Sequence, residues 1–251
     1  MIGIIGGSGV YRAEMLEDCK KEEIATPYGR VSLTVGSFDG KKVAFIARHG
    51  EKHSVPPHMV NYKAHIKAFE ILGVERVIAT AAVGSLRDDY VPGNIVVPDQ
   101  FIDFTKKREY TFYDREAVHI SMADPFCDEM RAISFKVLKD FEHKEKGTYV
   151  CIEGPRFSTR AESRMFKSFG DIIGMTLVPE CQLARELGMC YLCLAMVTDY
   201  DVYGEKPVSN VDVKRVMAEN IERTQRVIEH MLKELPERRS CKCSRALEEA
   251  R

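Results

Sequence analysis

Residues 190–197 (CYLCLAMV) form an apolar stretch that runs directly into residues 198–201 (TDYD). A continuous apolar run of this length predicts a strand that is buried on both faces of a sheet. Open α/β sheets bind their ligands beyond the carboxyl ends of the strands. The carboxyl groups of Asp199 and Asp201 are therefore candidates for a ligand site, although acids in a surface turn are the simpler alternative. Partial burial of Asp199 would raise the pKa of its carboxyl group and favour the proton-donating form.

Further strands and helices are predicted on both sides of this stretch. Strands are expected at residues 2–5, 31–35, 43–46, 77–80, 95–98, 148–152, 172–174 and 191–197. Helices are expected at residues 61–72, 158–169, 178–187 and 213–235, from apolar residues at helical spacing and from residues that cap helices. The alternation predicts an α/β fold. Because no repeat or linker precedes residue 236, residues 1–235 are predicted to form one domain, followed by a tail at 236–251.

Composition excludes several classes of function. The chain has 251 residues, 45% of them hydrophobic, which suffices for one large core. Its formal net charge of −1 argues against a general nucleic-acid-binding protein, which needs a basic surface. No apolar run approaches the roughly 20 residues that a membrane span requires, and no basic region precedes the first apolar residues. We therefore expect a cytoplasmic protein with a small-molecule partner.

The eight cysteines are unusual for this composition. Zinc sites commonly combine two closely spaced pairs of ligands. The pair Cys190 and Cys193 lies inside a predicted strand, so it is not expected to form such a set with Cys241 and Cys243. The six cysteines before the tail are predicted to be buried thiols that act as small hydrophobic side chains. Disulfides inside the cell are expected only if the source is a hyperthermophile.

Two short motifs near the N-terminus suggest an anion site. Residues 6–9 (GGSG) match neither the dinucleotide fingerprint nor the P-loop, but the turn can present backbone amides and the Ser8 hydroxyl to an anion. Arg48 and His49 follow a predicted strand, where the guanidinium offers two parallel donors to a phosphate and the imidazole one more. Taken alone, the first motif is more often an ordinary turn and the second more often a surface pair. Their joint position at the carboxyl ends of early strands favours a ligand site.

Three further segments follow predicted strands. Residues 80–85 (TAAVGS) have small side chains that let backbone amides approach a ligand closely, although tight packing explains them equally well. Residues 153–157 (EGPRF) and 174–176 (GMT) add an aromatic ring, a thioether and a hydroxyl at further strand ends. Each of these signals is weak alone.

In order along the chain, these segments resemble a known family. The motifs are GIIGGSGVY (3–11), ARHG (47–50), NYKAHIKA (61–68), GSLRDD (84–89), PGNIVVPDQFID (92–103), TFYD (111–114), HISMADPFC (119–127), EGPRFSTRAES (153–163), GMTLVPE (174–180) and AMVTDYD (195–201). Together they resemble the methylthioadenosine phosphorylases, a branch of the purine nucleoside phosphorylases. The resemblance spans residues 1 to about 235. It implies a single α/β domain with a mixed, partly barrel-like sheet flanked by helices, and a homotrimer or homohexamer.

The resemblance also implies a reaction and a set of site residues. Inorganic phosphate would be the co-substrate, would attack the anomeric carbon of the nucleoside and would displace the purine, with no metal or other cofactor. The implied phosphate ligands are Ser8, Arg48, His49 and Thr176, with the backbone of Ala81 and Ala82. The implied substrate contacts are Met175 at the ribose, Phe157 near the purine, Asp199 and Asp201 at the base edge, Tyr200, and His119, which would reach a neighbouring subunit's 5′ pocket. Ser158, Asp199 and Asp201 are expected to set specificity, and Asp199 to be the catalytic acid.

The base-edge acid predicts a preference among purines. In the family, aspartate at position 199 goes with 6-aminopurines and asparagine with 6-oxopurines, because a carboxylate accepts a hydrogen bond from an exocyclic amino group. A mispaired buried polar group costs about 1–3 kcal/mol. Methylthioadenosine is therefore the expected substrate, and a broad-specificity or 6-oxopurine nucleoside phosphorylase is the alternative. A nucleoside-binding protein without catalysis is a third interpretation. Such a protein would be expected to lose an anion-site residue or the acid, but all of them are present in this sequence.

The sequence departs from the animal members at three places. Ala81 replaces a threonine, so one phosphate contact is expected to be missing. Residues 202–213 (VYGEKPVSNVDV) lack the tryptophan and the His-Glu pair of the animal 5′ pocket. The tail with Cys241 and Cys243 resembles thermophilic archaeal members, some of which accept adenosine and inosine, and in which this motif is associated with disulfides and hexamers.

Overall fold

The computed structural model describes residues 1–7, 10, 15–203, 209–248 and 250. The strands are β1 (Ile2–Gly6), β2 (Glu17–Thr26), β3 (Gly29–Phe38), β4 (Lys41–Ala47), β5 (Arg76–Ser85), β6 (Ile95–Val96), β7 (Gln100–Phe104), β8 (His143–Lys144), β9 (Thr148–Ile152), β10 (Ile172–Gly174) and β11 (Cys190–Asp199). The helices are α1 (Tyr62–Ile71), α2 (Asp128–Val137), α3 (Arg160–Lys167), α4 (Glu180–Glu186) and α5 (Asn210–Glu234). Over these residues the strands join in one mixed sheet, which confirms the predicted α/β class.

The sheet forks along β5. The first half of this strand pairs in parallel with β1, from Ile2 opposite Arg76 to Ile5 opposite Ala79. The last two residues of β5 pair instead with β10, which runs antiparallel to it. On its other edge β5 pairs in parallel with β11 along almost its whole length. The change of partner from β1 to β10 opens a gap in the sheet beside residues 80–83.

Helices cover both faces of the sheet. On one face, α1 and α4 contribute Ile66, Phe69 and Leu183 to a buried apolar cluster. On the other face, α2 and α5 contribute Met130 and Met231 to a second one. Since successive side chains of a strand point to opposite faces, a strand between two such clusters has to be apolar throughout. This explains why β11 is buried at every position from 190 to 198. Among the helices of the described residues, none combines the length and the apolarity needed to cross a membrane.

The helix caps follow the sequence signals. Asn61 precedes α1, and its side chain accepts the backbone N–H of Ala64. Thr159 precedes α3 and forms a reciprocal capping box with Glu162. Both helices therefore begin within two residues of their predicted starts.

Some elements and one cysteine differ from the sequence predictions. No strand was predicted at β2 or β7 and no helix at α2. Cys19 was expected to be buried but is exposed, because it lies on β2, whose outer positions face solvent. The prediction for Cys19 is therefore wrong, whereas Cys127, Cys151, Cys181, Cys190 and Cys193 are all buried.

Candidate functional site

A cavity of about 810 Å³ opens where the sheet forks. Its walls come from residues that follow or end the strands β1, β4, β5, β9, β10 and β11, and α5 covers it with Val213, Ala218 and Ile221. The volume is that of a site for a small ligand. The strand ends and α5 together form a cleft that is open to solvent on one side.

Most of the predicted site residues line this one cavity. They are Arg48, His49, Ala81, Ala82, Phe157, Ser158, Met175, Thr176, Asp199 and Asp201. Tyr200 and His119 are not among the lining residues; His119 is exposed, and its backbone N–H donates to the carbonyl of Ala250. Ser8 lies outside the described residues.

Arg48 forms a buried ion pair that the sequence did not predict. Its Nε donates to Oε2 of Glu180 and its Nη2 to Oε1, both at 2.7 Å, and the two side chains are almost completely buried. Burial alone would lower the pKa of Arg48, but the facing carboxylate outweighs it and raises the pKa, so the guanidinium stays charged. The parallel pair of donors that was expected to hold phosphate is therefore engaged by Glu180.

Counted over the described residues, one donor of Arg48 is left for a ligand. Nη1 donates to the carbonyl of Thr80 at 2.7 Å, and Nη2 approaches the carbonyl of Ile5 at 3.5 Å. With the two bonds to Glu180, these contacts use four of the five guanidinium N–H groups. In this conformation an anion in the cavity can accept one hydrogen bond from Arg48, from Nη1.

His49 is neutral in the folded protein. Burial and the positive charge of Arg48 lower the pKa of His49 to about 4. Its Nδ1 lies 2.9 Å from the carbonyl oxygen of Val55, which can only accept, so the proton of the neutral ring is on Nδ1. Nε2 then offers a lone pair. His49 can therefore accept a hydrogen bond from a protonated phosphate oxygen.

We expect stability to fall in acid because of His49 and His65. Burial and the charge of Arg48 lower the pKa of His65 to about 3, whereas an unfolded histidine has a pKa of about 6.5. Between about pH 6.5 and pH 4 the unfolded chain binds protons that the folded chain does not. The free energy of unfolding therefore decreases as the pH falls through this window. Thermal unfolding at a series of pH values between 7.5 and 4 measures this loss of stability as a fall in Tm.

A histidine substitution isolates this effect. His65→Gln should flatten the dependence of Tm on pH, because it removes one of the two groups that must stay neutral. His58→Gln replaces an exposed histidine and serves as the control. Equal slopes for the wild type and for His65→Gln would contradict the assignment.

At the other end of the cavity, Asp199 is held by two donors. The backbone N–H of Asp201 donates to Oδ1 and the hydroxyl of Thr198 to Oδ2, both at 2.8 Å. Burial nevertheless raises the pKa of the Asp199 carboxyl. The Thr198 hydroxyl also lies 3.2 Å from the carbonyl of Val83. By turning its proton to Val83, Thr198 can accept from a protonated Asp199, so the site accommodates both protonation states.

The backbone around Asp199 is shaped to bring the two acids together. Asp201 has φ of 48°, in the left-handed region, and this turn aims its N–H at Asp199. A Cβ on Gly84 would lie 2.9 Å from Oδ1 of Asp199, so only glycine permits this approach of β5 to β11. Burial raises the pKa of Asp201 as well.

Several buried polar atoms of the cavity wall have no hydrogen-bond partner among the residues that the structure describes. These are Thr80 Oγ1, Ser158 Oγ and Asp201 Oδ2. An unpaired buried polar group costs about 1–3 kcal/mol, and folded proteins contain few of them. A polar ligand in the cavity can form hydrogen bonds with these three atoms.

Sequence reasoning missed Glu180, Thr80 and Thr198 as parts of the site. The motifs that led to the resemblance contain Glu180 and Thr198, but no role was given to either. An acid within the apolar segment 177–184 was a usable signal for Glu180, since buried carboxylates are paired. The partner of that acid could not be found without the fold.

A group with metal-ligand spacing lies elsewhere. Among the described residues, one set of three or more histidine, cysteine or acidic side chains converges closely enough to bind an ion: Cys127, Cys190, Cys241 and Cys243. It lies at the opposite end of β11 from Asp199. It therefore belongs to no wall of the cavity.

Comparisons of the sequence and of the structure with known proteins both find phosphorylases. The profile of the phosphorylase superfamily matches residues 1–233. An S-methyl-5′-thioadenosine phosphorylase of Thermofilum pendens is 58% identical over 255 residues, which cover 99% of this chain and 97% of that protein. The structure of a methylthioadenosine phosphorylase from an antarctic soil metagenomic library gives a TM-score of 0.92 at 41% identity, covering 99% of this chain and 91% of the other.

A second solved structure contains a nucleoside. It is a variant of the adenosine/methylthioadenosine phosphorylase from Schistosoma mansoni in complex with methylthioadenosine. Its TM-score is 0.88 at 34% identity, over 92% of this chain and 90% of that one. The similarity in sequence and fold thus extends over nearly the whole chain.

Proposed function

Because this chain belongs to the phosphorylase superfamily, we propose that it catalyses the phosphorolysis of S-methyl-5′-thioadenosine to adenine and 5-methylthioribose 1-phosphate. One observation carries the proposal: the cationic Arg48 and the raised-pKa carboxyl of Asp199 line the same cavity. An anion and a nitrogen heterocycle can therefore occupy it side by side. The relatives named methylthioadenosine phosphorylase support the choice of substrate.

Inorganic phosphate is the proposed co-substrate, bound at the Arg48 end. Arg48 would donate from Nη1, and the hydroxyl groups of Thr176 and Thr80 would donate to further oxygens. The backbone of Ala81 and Ala82, together with Ser8, completes the proposed set. Nε2 of His49 would accept from the protonated oxygen of hydrogen phosphate, which leaves the other oxygens free to attack.

The chemistry requires charge stabilisation at both ends. Cleavage of the N-glycosidic bond develops positive charge on the sugar and negative charge on the departing purine. The phosphate dianion offsets the first, and a proton from Asp199 to the base nitrogen offsets the second. Burial raises the pKa of Asp199, which favours the protonated form of its carboxyl group. Thr198 can hold the carboxyl group in both protonation states.

The remaining residues are proposed to position the nucleoside. Met175 would pack against the ribose and Phe157, which is partly exposed at the cavity, against the purine. Asp201 and Ser158, which both line the cavity, would meet the polar edge of the base. Tyr200 follows Asp199 directly and is proposed as a further contact.

Assembly into a trimer or hexamer is part of the proposal. His119 is exposed and stands outside its own cavity, which is the arrangement expected if it serves the 5′ pocket of a neighbouring subunit. Residence in the cytoplasm stays a prediction from the sequence.

The direct test supplies methylthioadenosine with and without phosphate. We expect adenine to be released with phosphate and none to be released when sulfate, a non-nucleophilic anion of similar shape and charge, replaces it. Chromatography detects adenine and 5-methylthioribose 1-phosphate in equal amounts. Adenine release at the same rate in sulfate would identify a hydrolase instead. Adenosine, inosine and guanosine in parallel assays separate the leading substrate from the broad-specificity alternative.

A further inference from the structure

Four thiol groups converge at the end of the sheet remote from the cavity. The Sγ atoms of Cys127, Cys190, Cys241 and Cys243 all lie within 4.8 Å of one another. Three of these side chains are buried and Cys241 is partly buried. Cys190 begins β11 and Asp199 ends it, so the cluster and the catalytic acid are separated by about 30 Å of strand. The proposed phosphorolysis makes no use of these thiols.

Three separate parts of the chain supply the thiols. Cys127 directly precedes α2, Cys190 lies on the central strand, and Cys241 and Cys243 belong to the tail. Polar contacts fix the tail in place beside the cluster. Ser240 donates to Oε1 of Glu129 from its backbone N–H at 3.0 Å and from its hydroxyl at 2.7 Å. The thiols are thus brought together by an ordered backbone.

We propose that these four cysteines bind one Zn²⁺ ion as a closed tetrathiolate site that anchors the C-terminal tail to the central strand. Zinc in structural sites takes four ligands in a tetrahedron, with Zn–S distances of about 2.3 Å. That geometry places neighbouring sulfur atoms about 3.8 Å apart. The observed cluster fits it after small side-chain adjustments, since Cys190 and Cys241 are 3.2 Å apart and no pair exceeds 4.8 Å.

The surroundings suit a negatively charged centre. Four thiolates and one Zn²⁺ carry a net charge of −2. Cys127 occupies the N-cap of the ten-residue helix α2, whose free N–H groups stabilise a thiolate. Arg239 lies two residues before Cys241, and its Nη1 donates to the carbonyl of Gly188, just before Cys190, at 2.8 Å. A helix terminus and a guanidinium therefore flank the site.

Binding is balanced without any oxidant or reductant. Four S–H bonds break, four Zn–S bonds form, and four protons pass to solvent. The competing arrangement is two disulfide bridges among the same thiols, which requires an oxidant to remove four electrons. With all four positions taken by protein, the ion has a structural role.

Titration of the intact protein with Co²⁺ tests the proposal. The full chain is purified under argon with a reductant, freed of metal and titrated. We expect the visible bands and the sulfur-to-cobalt charge-transfer absorption of a tetrahedral tetrathiolate, saturating at one Co²⁺ per chain and abolished by Zn²⁺. A spectrum without thiolate charge transfer would overturn the proposal. So would disulfide-linked peptides among these cysteines in the reduced, anaerobically purified protein.

Variants place the ion at the cluster. Cys243→Ser and Cys127→Ser should each weaken Zn²⁺ binding by about tenfold or more, and Zn²⁺ should raise Tm in the wild type but much less in either variant. Cys19→Ser, at an exposed thiol outside the cluster, is the matched control and should bind as the wild type does. Unchanged affinity in both cluster variants would refute the site. The cobalt spectrum of the wild type decides the question even if a variant fails to fold.

Discussion

Replacing Asp199 by asparagine is expected to lower kcat/KM for methylthioadenosine by about 10²–10⁴-fold, the usual contribution of a general acid. The amide that replaces the carboxyl group cannot give a proton to the departing base. It keeps the size of the side chain, and its carbonyl oxygen can still accept the Asp201 N–H that Oδ1 receives at 2.8 Å. The loss should therefore fall on the chemical step rather than on folding. Steady-state kinetics and a thermal melt of the same preparation measure the two separately.

The same variant should also change the preference among purines. The amide of asparagine can donate to a 6-oxo group, so the ratio of kcat/KM for inosine to that for methylthioadenosine should rise. Asp103→Asn makes the same change of charge at an exposed position outside the cavity and is the control. An unchanged ratio would show that position 199 does not contact the base edge.

The sequence was sufficient to predict those strands whose conformation is determined by a local pattern of side chains. The apolar run at 190–197 predicted a doubly buried strand, and β11 is found at Cys190–Asp199. The strands at Thr148–Ile152 and Ile172–Gly174 were predicted with their observed bounds. β2 was missed because residues 17–23 are mostly charged, and its strand conformation depends on pairing with β3 rather than on its own side chains.

The sequence predicted which strand ends form the candidate site. It did not predict which side chains contact each other there. The rule that ligands bind at the carboxyl ends of strands brought Arg48, Thr176 and Asp199 together, and all three line one cavity. The partner of Arg48 lies 132 residues away on α4. No local pattern reports a contact of that range, and the convergence of four cysteines from three segments could not be predicted for the same reason.

The ion pair of Arg48 and Glu180 leads to the second large effect. Glu180→Gln leaves the buried guanidinium without a countercharge, which should lower the free energy of unfolding by about 3–5 kcal/mol. For a chain of this length that corresponds to a fall in Tm of roughly 10 °C. Glu186→Gln on the same helix is the matched control, because Glu186 is also buried but accepts the N–H of Phe112 at 2.8 Å. Calorimetry in the absence of phosphate measures the Tm of the wild type, of Glu180→Gln and of Glu186→Gln.

Phosphate separates the role of Arg48 in binding from its role in the ion pair. In Glu180→Gln the unneutralised charge should attract the anion more strongly, so added phosphate should raise Tm more than in the wild type. The double variant Arg48→Met with Glu180→Leu replaces the pair by apolar side chains and should recover part of the lost stability. The recovery is partial because the buried hydroxyl of Tyr191, which donates to Oε1 of Glu180 at 2.7 Å, loses its acceptor. It should, however, lose the response to phosphate, because the cation at that end of the cavity is gone. If phosphate raised the Tm of the wild type, of Glu180→Gln and of the double variant equally, Arg48 would be a structural residue and the anion would bind elsewhere.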